Sequence, residues 1–413
     1  MDLLRRPYRT GALAVAFVTG VAVAVLNRTG AFYGSMSADL IDLRVYRMGG
    51  RSVLTDGALY DAHFEIMGLP FTYPPVSAVA MVPLTVVPLF VAAVLWTGAS
   101  VLCLAWVWRV CLPRADWRLV LALLVGSLFL EPVRENLAKG QINLFLMAMV
   151  VAGLLGAAPR PVRRPGARWP GLEVGIAAGL KLTPAFFLVF LAVTRRWVAL
   201  RNALLGLAAT VAVGFVVLPG ASLRYWGSVV LDSGRIGNPY FAGNQSVMGF
   251  LSRLGHPDSW VGQVWFVVAG AIGAGALLLA WRLWRRAERV AAVSAAALGA
   301  LFASPVSWSH HWVWVVPLGA VLVSTVRDRR AKVLVGAVWF GLFLAGPIWW
   351  PPRDRELDWS LWQSAPGNAY LIAGLVWFAV MAWHAWRPPR RRVVVPALQA
   401  AQAANSSSRP PTV

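Results

Sequence analysis

Long apolar stretches recur along the whole chain, and they constrain the fold more than any other feature. Several approach or reach the ~20 residues that a helix needs to cross a ~30 Å hydrocarbon core. With 58% apolar and 13% charged residues, the chain cannot cover itself with the polar surface that a soluble protein presents to water. The alternating period of outer-membrane strands is absent. We therefore expect an all-α polytopic membrane protein.

The formal net charge of +21 comes from arginine clusters that lie between the apolar stretches. Such clusters mark the cytoplasmic ends of spanning helices. The positive charge is thus explained by membrane topology, and we expect no nucleic-acid partner. With every cluster placed inside, both termini are cytoplasmic. The resulting crossings are residues 11–26, 88–111, 118–130, 142–157, 202–219, 260–282, 290–303, 311–325, 333–349 and 369–386.

Two further apolar stretches do not fit as simple crossings. Prolines break residues 74–87, which predicts a short helix at the external interface. Residues 171–193 have arginines at both ends, which predicts a re-entrant pair of half-helices or two short spans. The total is thus ten to twelve transmembrane helices.

This topology predicts one transmembrane domain, residues 1–387, followed by a disordered cytoplasmic tail, residues 388–413. The polar segments then fall on the external side. They are a first external loop at 27–75, a segment near 131–141, a loop at 220–259, a segment at 350–368 and a corner at 304–310.

The first external loop contains several acidic residues beside the membrane surface. Asp42 is our first candidate for a general base, and Asp39 is its nearest rival. An alternative is that Asp42 caps a helix or pairs with Arg44 or Arg47.

A second cluster, EPVRENLAKGQIN, spans residues 131–143. Arg134 and Lys139 are suited to holding a phosphate, and Gln141 and Asn143 to bonding sugar hydroxyls. The alternative is an ordinary polar loop at the interface.

Three residues elsewhere stand out by position. His310 and His311 open a predicted span at the external surface, and neighbouring helical residues point about 100° apart, so we expect at most one to face a site. Lys181 lies inside a stretch at membrane depth, where a charge must be paired or wet, so it is a functional candidate.

The later external loop adds Asn244 and Gln245 as polar candidates. No Asp-x-Asp motif, P-loop or Gly-rich dinucleotide fingerprint occurs, so a metal-held nucleotide donor is not expected. We expect no cofactor and no metal site.

Six short motifs occur in a fixed order between residues 42 and 312. They are DLRVY, FTYPP, KGQINL, GLKLTP, NQS and SPVSWSHHW. In this set the chain resembles glycosyltransferase family 87, the actinobacterial polyprenol-phosphate-mannose-dependent mannosyltransferases of the GT-C fold class.

The resemblance implies an inverting mannosyltransferase with its site on the periplasmic side of the plasma membrane. The family's catalytic carboxylate falls on Asp42, with Asp39 as the alternative. The implied partners are membrane lipids, a polyprenyl-phosphate-mannose donor and a glycolipid acceptor, either a phosphatidylinositol mannoside or lipomannan. The implied cations for the donor phosphate are Lys181, His310 or His311, Arg134 and Lys139. The implied sugar or acceptor contacts are Tyr46, Tyr73, Gln141, Asn143, Asn244 and Gln245.

Other functions remain open at this point. The transferred sugar could be glucose or arabinose, because the same carboxylate and phosphate chemistry would serve. A flippase or transporter of a lipid-linked sugar would also use broken helices and a lysine at membrane depth. A non-catalytic partner in an envelope complex would leave Asp42 dispensable.

Overall fold

The computed structural model describes residues 18, 22, 40–55, 59–61, 63–64, 68–156, 169–255 and 259–387. The predicted first span at 11–26, apart from its two isolated described residues, the rival base Asp39 and the predicted tail at 388–413 lie outside this part of the chain.

Nearly all of the described regular structure is helical. The helices are α1 (Ile41–Leu54), α2 (Pro75–Met81), α3 (Leu89–Cys111), α4 (Trp117–Ser127), α5 (Glu131–Lys139), α6 (Asn143–Leu155), α7 (Leu172–Leu180), α8 (Phe186–Val193), α9 (Trp197–Val217), α10 (Pro219–Gly227), α11 (Val247–Gly255), α12 (Ser259–Arg285), α13 (Arg289–Ala303), α14 (Val315–Thr325), α15 (Arg329–Ala345), α16 (Leu361–Gly367) and α17 (Ala369–Trp386). Short 3₁₀ helices span Val82–Thr85, Thr183–Ala185, Val229–Leu231, Ser233–Ile236, Ser309–Trp314, Pro347–Trp349 and Glu356–Asp358. A two-residue antiparallel pair, β1 (His63–Phe64) and β2 (Leu69–Pro70), is the strand structure in the described residues.

Five described helices are long and apolar enough to cross a membrane. They are Leu89–Cys111, Trp197–Val217, Trp260–Arg285, Arg329–Trp349 and Ala369–Trp386. The outward surface is apolar as well, since the side chains of Phe266 and Val267 on α12 are 74% and 69% exposed. Such a surface is stable in lipid and not in water. The expected helical, multi-pass membrane class is therefore confirmed.

The segment near residues 131–141 does not have the form of the alternative interpretation, an ordinary polar loop. It is not a simple loop, because residues 131–139 form helix α5, which meets α6 at a bend of 114°. Gly140 makes the bend with a φ of 68°, a conformation that glycine adopts without strain. Together α5 and α6 are long and apolar enough for a broken span or a re-entrant loop.

Basic side chains gather at one end of the helix bundle. The Arg196 guanidinium donates to the carbonyl of Leu154 at the end of α6, at 3.1 Å. It also lies 4.9 Å from the centre of the Trp284 ring, and Arg289 lies 4.2 Å from the centre of the same ring. We call the end defined by Arg196, Trp284 and Arg289 the basic end.

The opposite end of the bundle is polar. Helix α6 begins there at Asn143, whose side-chain oxygen accepts a hydrogen bond from Lys181 at 3.0 Å. His311, at the entrance to α14, contacts the same lysine at 3.1 Å. We call the end defined by Asn143, Lys181 and His311 the polar end.

Helices α7 and α8 form a hairpin between these ends. Helix α9 runs parallel to α7, because Gly171 approaches Ala199 and Gly175 approaches Ala203. Both helices therefore begin at the basic end, and α8 must return the chain there. The hairpin turns at Lys181, where the backbone is extended. Because α7 starts at the basic end, this lysine lies at the polar end.

We expect Gly175→Ala to lower the thermal unfolding temperature, because a Cβ at Gly175 would lie 1.8 Å from the carbonyl oxygen of Ala203. Separating α7 from α9 should cost about 1–3 kcal/mol. Thermal unfolding in detergent would measure the shift. The matched control is Gly126→Ala in α4, where a Cβ meets nothing within 4 Å. Helix propensity alone should stabilise that variant by up to about 1 kcal/mol. Equal shifts in the two variants would contradict the packing argument.

Candidate functional site

A close backbone approach brings α1 to the bend between α5 and α6. A Cβ on Gly140 would lie 2.6 Å from the Cβ of Leu43, so the glycine permits the contact. Asp42 and Tyr46 are four residues apart on α1 and therefore share one helix face. That face meets Gln141, the residue that follows the glycine.

The Gln141 side chain links the aromatic and acidic members of the cluster. Its Oε1 accepts from the Tyr46 hydroxyl at 2.9 Å and lies 3.5 Å from the Tyr73 hydroxyl. The two hydroxyls are 3.0 Å apart. Gln141 also forms a hydrogen bond with Asp42. Because the tyrosine hydroxyls already donate to the amide oxygen of Gln141, its amide nitrogen is the donor to Asp42.

Asp42 is half-buried in the first turn of α1. Burial raises the pKa of its carboxyl above the ordinary value, while the hydrogen bond from Gln141 and the positive charges of Lys139 and Lys181 lower it. A carboxylate with a raised pKa is a stronger base than an exposed one, so this side chain is suited to accept a proton.

Lys181 lies at the centre of the polar end. Its ammonium donates to Asn143 at 3.0 Å, contacts Nε2 of His311 at 3.1 Å and lies 5.3 Å from the centre of the Tyr73 ring. None of the ion pairs among the described residues includes it. Asp42 acts on it only through space. A half-buried lysine whose hydrogen-bond partners are neutral is suited to bind an anion.

The two histidines have different surroundings. They lie in the 3₁₀ helix Ser309–Trp314 with ring centres 4.9 Å apart and nearly perpendicular. The ring of His311 contacts Lys181. The ring of His310 is buried, and its backbone carbonyl accepts from the Asn143 amide at 3.1 Å.

Arg134 and Lys139 lie on α5 at the margin of this cluster. Lys139 pairs with Glu135 one turn earlier, at 3.3 Å, and its charge acts on Asp42 and His310. Arg134 is half-buried and acts on Tyr370, away from Asp42. The structure thus places Lys139 near the cluster and Arg134 farther along the helix.

Asn244 and Gln245 are fully buried and outside the cluster. The Asn244 side chain donates to the carbonyls of Pro239 and Pro305 and accepts from the amide of Ser307. Gln245 likewise bonds to backbone groups at 242, 367 and 370. These bonds use their polar atoms and hold the corner that leads to the histidines, which favours a structural role over contact with a sugar.

Tyr73 is held in position by Tyr60. The Tyr60 hydroxyl donates to the Tyr73 carbonyl at 2.7 Å, and the Tyr60 ring packs beside that of Tyr225 on α10. Sequence reasoning singled out Tyr73 for its motif but did not identify Tyr60 as its support.

A cavity adjoins the cluster. Its polar edge is formed by Asn143 and His311, and its walls include Met147, Phe187 and Trp314. The cavity is thus polar at the two side chains that contact Lys181 and apolar beyond. The cavity has a volume of about 40 Å³, far below the roughly 300–1,000 Å³ of a site that encloses a small-molecule ligand.

Comparisons with known proteins agree with this chemistry. The family model of glycosyltransferase family 87 matches residues 71–307. A polyprenol-phosphate-mannose-dependent alpha-(1-2)-phosphatidylinositol mannoside mannosyltransferase of Mycolicibacterium smegmatis is 35% identical over 380 residues, 82% of this chain and 81% of the relative. A polyprenol-phosphate-mannose-dependent alpha-(1-2)-phosphatidylinositol pentamannoside mannosyltransferase of Mycobacterium tuberculosis is 34% identical over 377 residues, 86% of this chain and 84% of the relative. No solved structure matches the chain significantly.

Proposed function

The chain belongs to glycosyltransferase family 87, and from this premise we propose that it transfers mannose from polyprenyl-phosphate-mannose to a glycolipid. The acceptor is a phosphatidylinositol mannoside or lipomannan, and the product is an α-mannoside. The names of the similar mycobacterial enzymes support the donor and the first acceptor.

One observation carries the proposal. Lys181 is a half-buried cation with no ion-pair partner among the described residues. A chain of hydrogen bonds through Asn143 and Gln141 joins it to Asp42. An anion site and a base are thus held together, which is the arrangement that transfer from a sugar phosphate requires.

The chemistry follows from the roles of these groups. Asp42 takes the proton of an acceptor hydroxyl while that oxygen attacks the anomeric carbon of the β-mannosyl phosphate. The bond from the anomeric carbon to the phosphate oxygen breaks, and the electron pair leaves with polyprenyl phosphate. Because the departing phosphate is a good leaving group, it needs no general acid, and one carboxylate suffices.

The charge that develops on the phosphate is stabilised by Lys181 and His311, with Lys139 and Arg134 as outer cations. Gln141 orients Asp42 and, together with Asn143, Tyr46 and Tyr73, lines the space for the sugar and acceptor. Asp39 stays the alternative base.

We place the protein in the plasma membrane with both termini cytoplasmic. The basic end then faces the cytoplasm and the polar end the periplasm. In this orientation the first external loop at 27–75 and the loop at 220–259 are periplasmic, and the α7–α8 hairpin at 171–193 is re-entrant. Ten to twelve crossings form one domain, residues 1–387, and residues 388–413 form a cytoplasmic tail.

The test is mannosyl transfer by purified chain in detergent or liposomes. Radiolabelled polyprenyl-phosphate-mannose is supplied with phosphatidylinositol mannoside acceptors and a chelator, beside the matching glucose and arabinose donors. We expect transfer from the mannose donor alone, with chelator present. Flipping of the labelled donor across liposomes without any product would instead support a transporter. A folded chain that transfers only glucose or arabinose would overturn the sugar assignment.

A further inference from the structure

Glu131 is a buried carboxylate that the proposed chemistry does not use. It opens α5 and is 0% exposed. Its Oε1 accepts from the Trp349 indole at 2.7 Å and its Oε2 from the Tyr370 hydroxyl at 2.8 Å, and Ser309 also bonds to it. Burying a carboxylate is unfavourable in free energy, because the group loses its hydration. The three hydrogen bonds offset this penalty, which an apolar residue at the same position would not incur.

The three donors come from separate parts of the chain. Trp349 ends the 3₁₀ turn Pro347–Trp349, Tyr370 is in the first turn of α17, and Ser309 begins the 3₁₀ helix of the histidines. Glu131 therefore joins α5 to three segments that have no backbone connection nearby. The chain bends closely around it, because Gly346, with a φ of 57°, would place a Cβ 3.3 Å from the Glu131 Cγ.

Ser309 connects this carboxylate to the proposed donor site. The next residue, His310, accepts from Asn143 through its carbonyl at 3.1 Å. The residue after it, His311, contacts Lys181 at 3.1 Å. A shift of Ser309 would be passed directly to both contacts, because a 3₁₀ turn is short and tightly wound.

We propose that Glu131 is a positioning residue, whose carboxylate holds the Ser309–His311 corner against α5 so that His311 and Lys181 converge on the donor phosphate. This inference rests on the proposed function. Glu131 itself does not touch the reacting atoms, and what it supplies is geometry. Misplacing a catalytic group by about 1 Å can cost on the order of 100-fold in rate.

The test compares Glu131→Ala with Glu131→Gln in steady-state transfer assays with donor and acceptor varied separately. Alanine removes all three contacts. We expect it to raise the KM for the donor and lower kcat, by about 100-fold together in kcat/KM, with the acceptor KM unchanged. Glutamine keeps an oxygen for the indole and can donate to the tyrosine oxygen, so it should restore most of the activity.

Tyr370→Phe keeps the inference testable if the alanine variant does not fold. It removes one donor and keeps the carboxylate, and we expect a smaller rise in donor KM with the acceptor KM again unchanged. A glutamine variant as inactive as the alanine variant would show that the charge itself is needed and would overturn the positioning role. So would equal rises in both KM values. If the wild-type chain transfers no mannose, the proposed function has failed. If the wild-type chain transfers mannose but the donor KM of both Glu131→Ala and Tyr370→Phe stays at the wild-type value, this inference alone has failed.

Discussion

Replacing Asp42 by asparagine should lower kcat for mannosyl transfer by about 10²- to 10⁴-fold, the range that loss of a general base produces. Asparagine has nearly the same shape and can still bond to Gln141, so the fold of α1 and the KM for the donor should change little. Transfer assays at saturating substrate, with circular dichroism as the check on folding, would measure this.

The pH dependence gives a second reading of the same side chain. A base works only when deprotonated, so activity should fall as pH drops through the pKa of Asp42. Because burial raises that pKa, the fall should begin at a higher pH than for an ordinary aspartate. The residual activity of Asp42→Asn should lack this acid limb.

Asp61→Asn is the matched control for this prediction. Asp61 lies in the same loop but is exposed, and its hydrogen bond to Arg224 lowers its pKa. An exposed ion pair contributes little to stability, so this variant should transfer mannose at close to the wild-type rate. If Asp42→Asn were as active as Asp61→Asn, Asp42 would not be the base, and Asp39 would become the first alternative.

Replacing Lys181 by alanine should lower kcat/KM for the donor by about 10²- to 10³-fold, the loss that follows removal of a donor from a site of developing negative charge. The ammonium is a half-buried cation at the hairpin turn, and its two hydrogen-bonded contacts are to the neutral groups of Asn143 and His311. Arginine should restore little, because the planar guanidinium does not fit a site built for a compact ammonium. Steady-state kinetics with varied donor would measure the loss.

His311→Ala tests whether the lysine and histidine act as a unit. The Lys181 ammonium and the His311 ring nitrogen are 3.1 Å apart. The fold-loss in kcat/KM of the double variant Lys181→Ala/His311→Ala should therefore be smaller than the product of the two single-variant losses. Lys332→Gln is the control lysine, in the first turn of α15. It should leave kcat/KM unchanged. Fully multiplicative losses would contradict a shared phosphate site.

Much of the general character of this protein was readable from the sequence. The apolar stretches predicted a helical membrane protein, and described helices lie in each predicted crossing from 88–111 onward. The ordered motifs predicted the family that the comparisons then matched. These features are local along the chain, since hydropathy and motif order need no knowledge of which helices touch.

The candidate site was predictable as a set of residues and not as an arrangement. The sequence analysis identified each candidate separately, and the structure brings them into one hydrogen-bonded network: Asp42, Gln141, Asn143, Lys181 and His311. It also places Asn244 and Gln245 among backbone groups, although their motif had suggested contact with a sugar. Motif membership does not distinguish a side chain that supports a site from one that lines it.

The sequence by itself determined that this protein resides in a membrane, that it is helical, and which family it belongs to. These properties follow from the length, polarity and order of segments along the chain. The tertiary structure decided which of two adjacent histidines meets Lys181, how Gly140 lets α1 approach Gln141, and that Glu131 is buried under three donors. Those outcomes depend on packing between residues that are 95 or more positions apart in the chain. The free energy of such contacts is set by shape and distance in three dimensions.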